Sequence, residues 1–239
     1  GKPNGVAMTL DDIKRTQDAF VQAAIDAKRI GFDGVELHGA HGYLIDQFFW
    51  PETNKRTDSY GGGFINRTRF ACEIIDRIKA ECGTDFPVVL RFSQWKLQNY
   101  EAKLAETSEQ LAEFLAPLVE AGVDVFHCST RRFWEAEFEG SDMNLAAWTQ
   151  KITGKPCITV GSVGLDLSFV DEKSRDIAIG SDVNTDKLTK LEGAVEAGEF
   201  DFVAIGRSVL HDPEWVNKWR QGNFDKMKPY SAKALKDLY

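Results

Sequence analysis

Five times along the chain a short apolar run follows a helix-length stretch and ends in glycine or polar residues, and this alternation constrains the fold more than any other feature. The runs are 33–38, 87–92, 124–128, 156–160 and 201–205. Helices are predicted over about 64–82, 107–121, 144–153 and 184–198, each just before a run. The chain opens on another helix. Thr9 followed by Asp12 has the spacing of a helix N-terminus, and Ile13, Phe20, Ala24, Ala27 and Ile30 keep the helical period as far as Gly31. Strands that alternate with helices make parallel βα units. The segments Ala121-Gly122-Val123-Asp124 and Ala197-Gly198-Glu199-Phe200-Asp201 are one helix-to-strand joint used twice.

Two architectures suit such alternation, a doubly wound open sheet and a (β/α)8 barrel, and they differ in where polar residues gather. Here they follow every strand, at 38–43, 91–95, 129–132, 161–164 and 206–208. Functional loops after all five strands favour the barrel over a single switch-point crevice, and no G-x-G-x-x-G follows any strand. The expected fold is therefore α/β, a TIM (β/α)8 barrel. A barrel closes on eight strands and five are visible. Segments 42–70 and 129–143 read as loop, so the expectation is a single domain over 1–239 that forms the C-terminal part of a barrel, with an N-terminal segment missing. An open sheet of five parallel strands exposes an edge, which predicts that the isolated chain is a homo-oligomer or poorly stable.

Composition narrows the partners. The 239 residues carry a formal charge of -8 with no Lys/Arg-rich run, which argues against nucleic acid or an anionic membrane as partner and means that any anionic ligand is held locally. No apolar run approaches the roughly 20 residues that span a bilayer, and Gly1-Lys2-Pro3-Asn4-Gly5-Val6-Ala7-Met8 is not a signal peptide, so a cytoplasmic location is expected. Four widely spaced cysteines without a CxxC pair predict reduced structural thiols and no metal framework.

The chemistry concentrates at the end of the first run, where His38-Gly39-Ala40-His41-Gly42-Tyr43 sets two imidazoles and a phenol within six residues. Two histidines there can donate to a carbonyl or nitro oxygen, and the tyrosine can deliver a proton. The same residues also admit one core and one surface histidine. Arg91 alternates with Val89 and Ser93, which puts its charge on the barrel face or mouth, with Glu36 on the neighbouring strand as a structural ion-pair partner. Two glycine loops, Gly161-Ser162-Val163-Gly164 and Gly206-Arg207-Ser208, follow the last two strands, where barrels often bind phosphate.

The stretch from Gly31 through Phe49, with Asn54-Lys55-Arg56-Thr57-Asp58-Ser59-Tyr60-Gly61-Gly62 and Asn66-Arg67-Thr68-Arg69-Phe70, resembles the Old Yellow Enzyme family of FMN-dependent NAD(P)H:flavin oxidoreductases. Weaker agreement continues through Arg91, Gly161-Ser162 and Gly206-Arg207 to about Asp212-Pro213. The resemblance implies a (β/α)8 barrel whose fourth to eighth strands are the five seen here. It implies hydride transfer from NAD(P)H through FMN to a small-molecule substrate, an activated alkene. His38 and His41 would bind the substrate oxygen and Tyr43 would be the proton donor. Arg91 would lie beside the flavin ring, while Gly161, Ser162, Gly206 and Arg207 would bind its phosphate. Trp134, after the sixth strand of that numbering, would cover the flavin and touch substrate, or simply pack its own loop. The Asp58 to Gly62 turn is read as structural. The competing functions are a non-catalytic flavin or phosphate-binding barrel fragment and a metal-dependent hydrolase built on His38 and His41.

Overall fold

The computed structural model describes residues 5–166 and 180–236. The chain divides into two compact units between Phe126 and His127. The first holds α1 (Leu10–Arg29), β1 (Val35–His41), α2 (Leu44–Phe49), α3 (Phe64–Cys82), β2 (Val88–Lys96) and α4 (Ser108–Glu120). Strand β3 (Val125–Ser129) spans the division. The second holds α5 (Leu145–Thr153), β4 (Cys157–Val160), β5 (Gly180–Ser181), α6 (Thr185–Glu196), β6 (Phe202–Val203), α7 (Arg207–His211), α8 (Trp215–Arg220) and β7 (Tyr230–Ser231).

Each predicted run contains a strand and each predicted helix forms, four of the five with a side-chain cap and α3 without one. The Thr9 hydroxyl accepts from the Asp12 N–H at 3.1 Å while the Asp12 carboxylate accepts from the Thr9 N–H at 2.9 Å, which satisfies two donors at the start of α1. Thr107 caps α4 through the Gln110 N–H, and Asn144 caps α5 through the Ala147 N–H.

In the first unit β1 and β2 pair in parallel, with Leu37 opposite Leu90 and His38 opposite Arg91. Alternation then splits the faces. Leu37, Leu90 and Phe92 are buried, and Phe92 meets Phe114 of α4 with ring centres 5.6 Å apart. Phe49 reaches the same Phe114 at 5.0 Å, and Phe48 stacks on Phe70 at 4.3 Å. Burying rings of this size stabilises the unit by about 2 kcal/mol each. The opposite face carries Glu36 and His38, both exposed, beside half-buried Val89 and Arg91.

The repeated joint has a repeated task. Asp124 accepts from the Val88 N–H at 2.7 Å and donates its own N–H to the Val88 carbonyl at 3.0 Å, so it brackets the start of β2. In the second unit Asp201 does the same for Cys157 at the start of β4, at 2.9 and 3.0 Å. There β4 and β6 pair in parallel, Ile158 with Phe202 and Thr159 with Val203, and β5 pairs antiparallel with β7. Helix α2, inside a segment read as loop, is six residues long and has no side-chain cap; it forms because Ile45, Phe48 and Phe49 are buried. Among the described residues no helix is long and apolar enough to cross a membrane.

Candidate active site

At the end of β1 the backbone enters the left-handed region twice in succession, with φ of +64° at His41 and +80° at Gly42. An L-residue resists that conformation, so side chains must hold it. The His41 N–H donates to Ser93 Oγ at 2.9 Å, and the Gly42 N–H donates to Asp46 Oδ2 at 2.6 Å. A Cβ at Gly42 would collide with the Gln98 side chain. The turn is accompanied by a register shift, after which His41 pairs with Lys96.

This turn folds the three predicted residues together. The His38 ring centre lies 5.2 Å from His41 and 5.3 Å from Tyr43, and the Tyr43 side is open, with 53% of that residue exposed. Arg91 sits across from His38 on β2. Burial lowers its guanidinium pKa and the Glu36 carboxylate opposes that shift. The Glu36 carboxylate thus acts electrostatically on the guanidinium, which remains a cation at neutral pH. Two imidazoles, a phenol and a fixed cation on an open strand end can bind a polarised oxygen and transfer a proton to a neighbouring carbon.

Three residues of this cluster escaped the sequence reading. The Trp95 ring stacks on His41 with centres 4.4 Å apart and planes 25° from parallel. Asp46 and Lys96 form a fully buried ion pair at 2.6 Å beneath the turn. A tryptophan near a strand end reads as packing, and a lysine there reads as solvated; neither contact has a local signal.

The second unit builds the other predicted cluster. Gly161 and Ser162 have positive φ, +152° and +47°, and a Cβ at Gly161 would fall 2.5 Å from Thr130 Oγ1 and 2.8 Å from the Thr130 carbonyl. Arg207 Nη2 donates to Ser162 Oγ at 3.2 Å, and Ser162 Oγ donates to the Arg131 carbonyl at 3.1 Å. Gly206 immediately precedes α7. Burial lowers the Arg207 pKa, with Tyr230 opposing, and the guanidinium lies 5.5 Å from the Tyr230 ring. A tight turn without room for a side chain, beside a half-buried cation, has the donor set a phosphate requires. Trp134 packs within its surroundings: Lys187 Nζ is 3.6 Å from its ring centre, Lys190 donates to its carbonyl at 3.1 Å, and Phe133 is 5.3 Å away.

The Asp58 turn is held as a structural element. Arg56 pairs with Asp58 at 2.5 Å, the Asp58 carboxylate accepts from the Tyr60 N–H, Asn66 donates to the Gly61 carbonyl and Arg69 to the Ser59 carbonyl. Tyr60 donates to Glu73 at 2.7 Å, and burial with this carboxylate pushes its phenol up to about 12. Hydrogen bonding to Arg56 lowers the Asp58 pKa below its usual 3.8. A depressed carboxylate stabilises the fold above its unfolded pKa and loses that contribution as pH falls through the folded one. Thermal unfolding midpoints are therefore expected to fall more steeply below about pH 4 in the unchanged chain than in Asp58→Asn. Parallel pH curves for the two proteins would remove the turn from the acid response.

The model of the NADH:flavin oxidoreductase / NADH oxidase family matches residues 3–226. The chain belongs to that family. The family is FMN-dependent and takes NAD(P)H as reductant. The chain is 37% identical over 229 residues to NADH oxidase of Thermoanaerobacter brockii, covering 92% of this chain and 31% of that protein. It is 33% identical to cinnamate reductase of Clostridium sporogenes, covering 93% of this chain and 33% of that one. It is 34% identical to an NADPH dehydrogenase of Bacillus subtilis, with coverage of 87% and 54%. The chain thus spans about a third of the first two relatives and about half of the third. Among solved structures, Old Yellow Enzyme from Pichia sp. superposes with a TM-score of 0.68 at 25% identity, covering 96% of this chain and 53% of that one. Morphinone reductase in complex with tetrahydroNAD superposes with a TM-score of 0.70 at 22% identity, covering 98% and 57%. The likeness establishes an α/β fold with parallel strands related to part of the Old Yellow Enzyme barrel, and the family resemblance read from residues 31–49, 54–62 and 66–70 stands.

Proposed function

We propose that this chain serves an FMN-dependent ene-reductase, which reduces activated alkenes such as α,β-unsaturated carbonyl or nitro compounds at the expense of NAD(P)H. The observation that carries the reading is the His38–His41–Tyr43 cluster on the open end of β1. When bound, the flavin supplies the hydride that reaches the β carbon. His38 and His41 donate to the substrate oxygen, where negative charge develops, and Tyr43 Oη gives its proton to the α carbon. Its exposure lets solvent return that proton. Arg91 provides a permanent cation for the flavin ring, and Gly161, Ser162, Gly206 and Arg207 hold the phosphate. Trp134 is assigned to substrate contact.

The open face with Glu36, His38 and Arg91 supports a companion proposal. The five strands β1, β2, β3, β4 and β6 correspond to the fourth to eighth of a (β/α)8 barrel, and residues 1–239 are the later part of one flavin-binding domain in a cytoplasmic protein. In a closed barrel that charged face would point inward; in the isolated chain it favours self-association.

The test is anaerobic consumption of NADPH with and without a cyclic enone in the presence of FMN. Enone-dependent oxidation with a saturated product is expected. Oxidation of NADPH that ignores the enone would reject the substrate class.

A further inference from the structure

We propose that Asp46 and Lys96 are positioning residues for the alkene-reduction step, holding the His41–Gly42 turn so that the imidazoles and the Tyr43 phenol face one substrate. This rests on the function proposed above. Lys96 Nζ donates to Asp46 Oδ1 at 2.6 Å and to the Ser93 carbonyl at 2.9 Å, while Asp46 Oδ2 accepts from the Gly42 N–H at 2.6 Å. Ser93 Oγ accepts from the His41 N–H at 2.9 Å and donates to the Trp95 carbonyl at 2.7 Å. One connected network therefore fixes both left-handed residues of the turn and the strand segment that carries the ring stacked on His41.

Stability alone is a poor account of this pair. Both side chains are fully buried, and a dry ion pair often contributes no net stability compared with apolar residues of the same shape. Burial pushes the Asp46 carboxyl up and the Lys96 ammonium down, against their mutual attraction. Placement is the informative feature. Asp46 lies three residues after Tyr43, Lys96 ends the neighbouring strand, and the pair meets under a turn whose conformation an L-residue resists.

Removing one partner would strand a buried charge, so the test compares two neutral pairs in the full chain with FMN. Asp46→Ala/Lys96→Met takes away the Gly42 acceptor, whereas Asp46→Asn/Lys96→Met retains an oxygen there. The first is expected to slow alkene reduction on the order of 10- to 100-fold without slowing flavin reduction by NADPH. The second should recover most of that loss. In a Tyr43→Phe background the first pair should cost far less, because the group it positions is gone. Amide hydrogen exchange reads the geometry without any turnover. The Gly42 N–H should be protected in the unchanged chain and in Asp46→Asn/Lys96→Met, and exchange at least about tenfold faster in Asp46→Ala/Lys96→Met. An unprotected Gly42 amide in the unchanged chain, or equal alkene rates in the two double variants, would overturn the proposal. A protected amide in a chain that reduces no alkene would instead fault the ene-reductase reading.

Discussion

Replacing Tyr43 by Phe is expected to slow alkene reduction by about 100-fold or more while flavin reduction by NADPH stays within about a factor of two. The substitution keeps the ring that lies 5.3 Å from His38 and removes only the hydroxyl. Packing is little disturbed, since more than half of the residue is exposed. A general acid acts after hydride arrival at the alkene and has no proton to supply when NADPH reduces the flavin. Rapid mixing of the two half-reactions separates the steps. If both fell together, Tyr43 would act on the fold or the flavin site, and its role as proton donor would be wrong.

Arg207→Ala should weaken FMN binding by roughly 10- to 150-fold, since a charged hydrogen bond is worth about 1.5–3 kcal/mol. The guanidinium is half-buried and touches Ser162 Oγ at 3.2 Å, so the substitution takes a cation from the turn and also leaves Ser162 without that donor. The alkene step at saturating FMN should be little changed. Fluorescence titration of FMN measures the difference directly. An unchanged Kd would take Arg207 out of the phosphate site.

The parts of this molecule that were legible in the sequence are those whose causes are local. Thr9 with Asp12 marks the first helix start because a cap is read within three residues, and the structure makes those same hydrogen bonds. The five strands stand out as apolar runs between glycine and polar punctuation. His38, His41 and Tyr43 were visible because one turn gathers them. What stayed hidden depends on long-range pairing. Lys96 and Asp46 lie 50 residues apart, and only the β1–β2 register brings them together. Trp95 gains its role from the same register, and α2 owes its six-residue length to burial of Ile45, Phe48 and Phe49 rather than to capping. The β5–β7 pair, two residues on each side, is too short to have a periodicity.

The most direct test of the central claim is the visible absorption spectrum of the purified chain titrated with FMN and then treated anaerobically with NADPH. The account predicts a perturbed, protein-bound flavin band that saturates with one FMN per chain and bleaches on NADPH addition. A spectrum identical to free FMN would contradict it, and a bound flavin that NADPH leaves yellow would reduce the chain to a flavin-binding fragment without redox function.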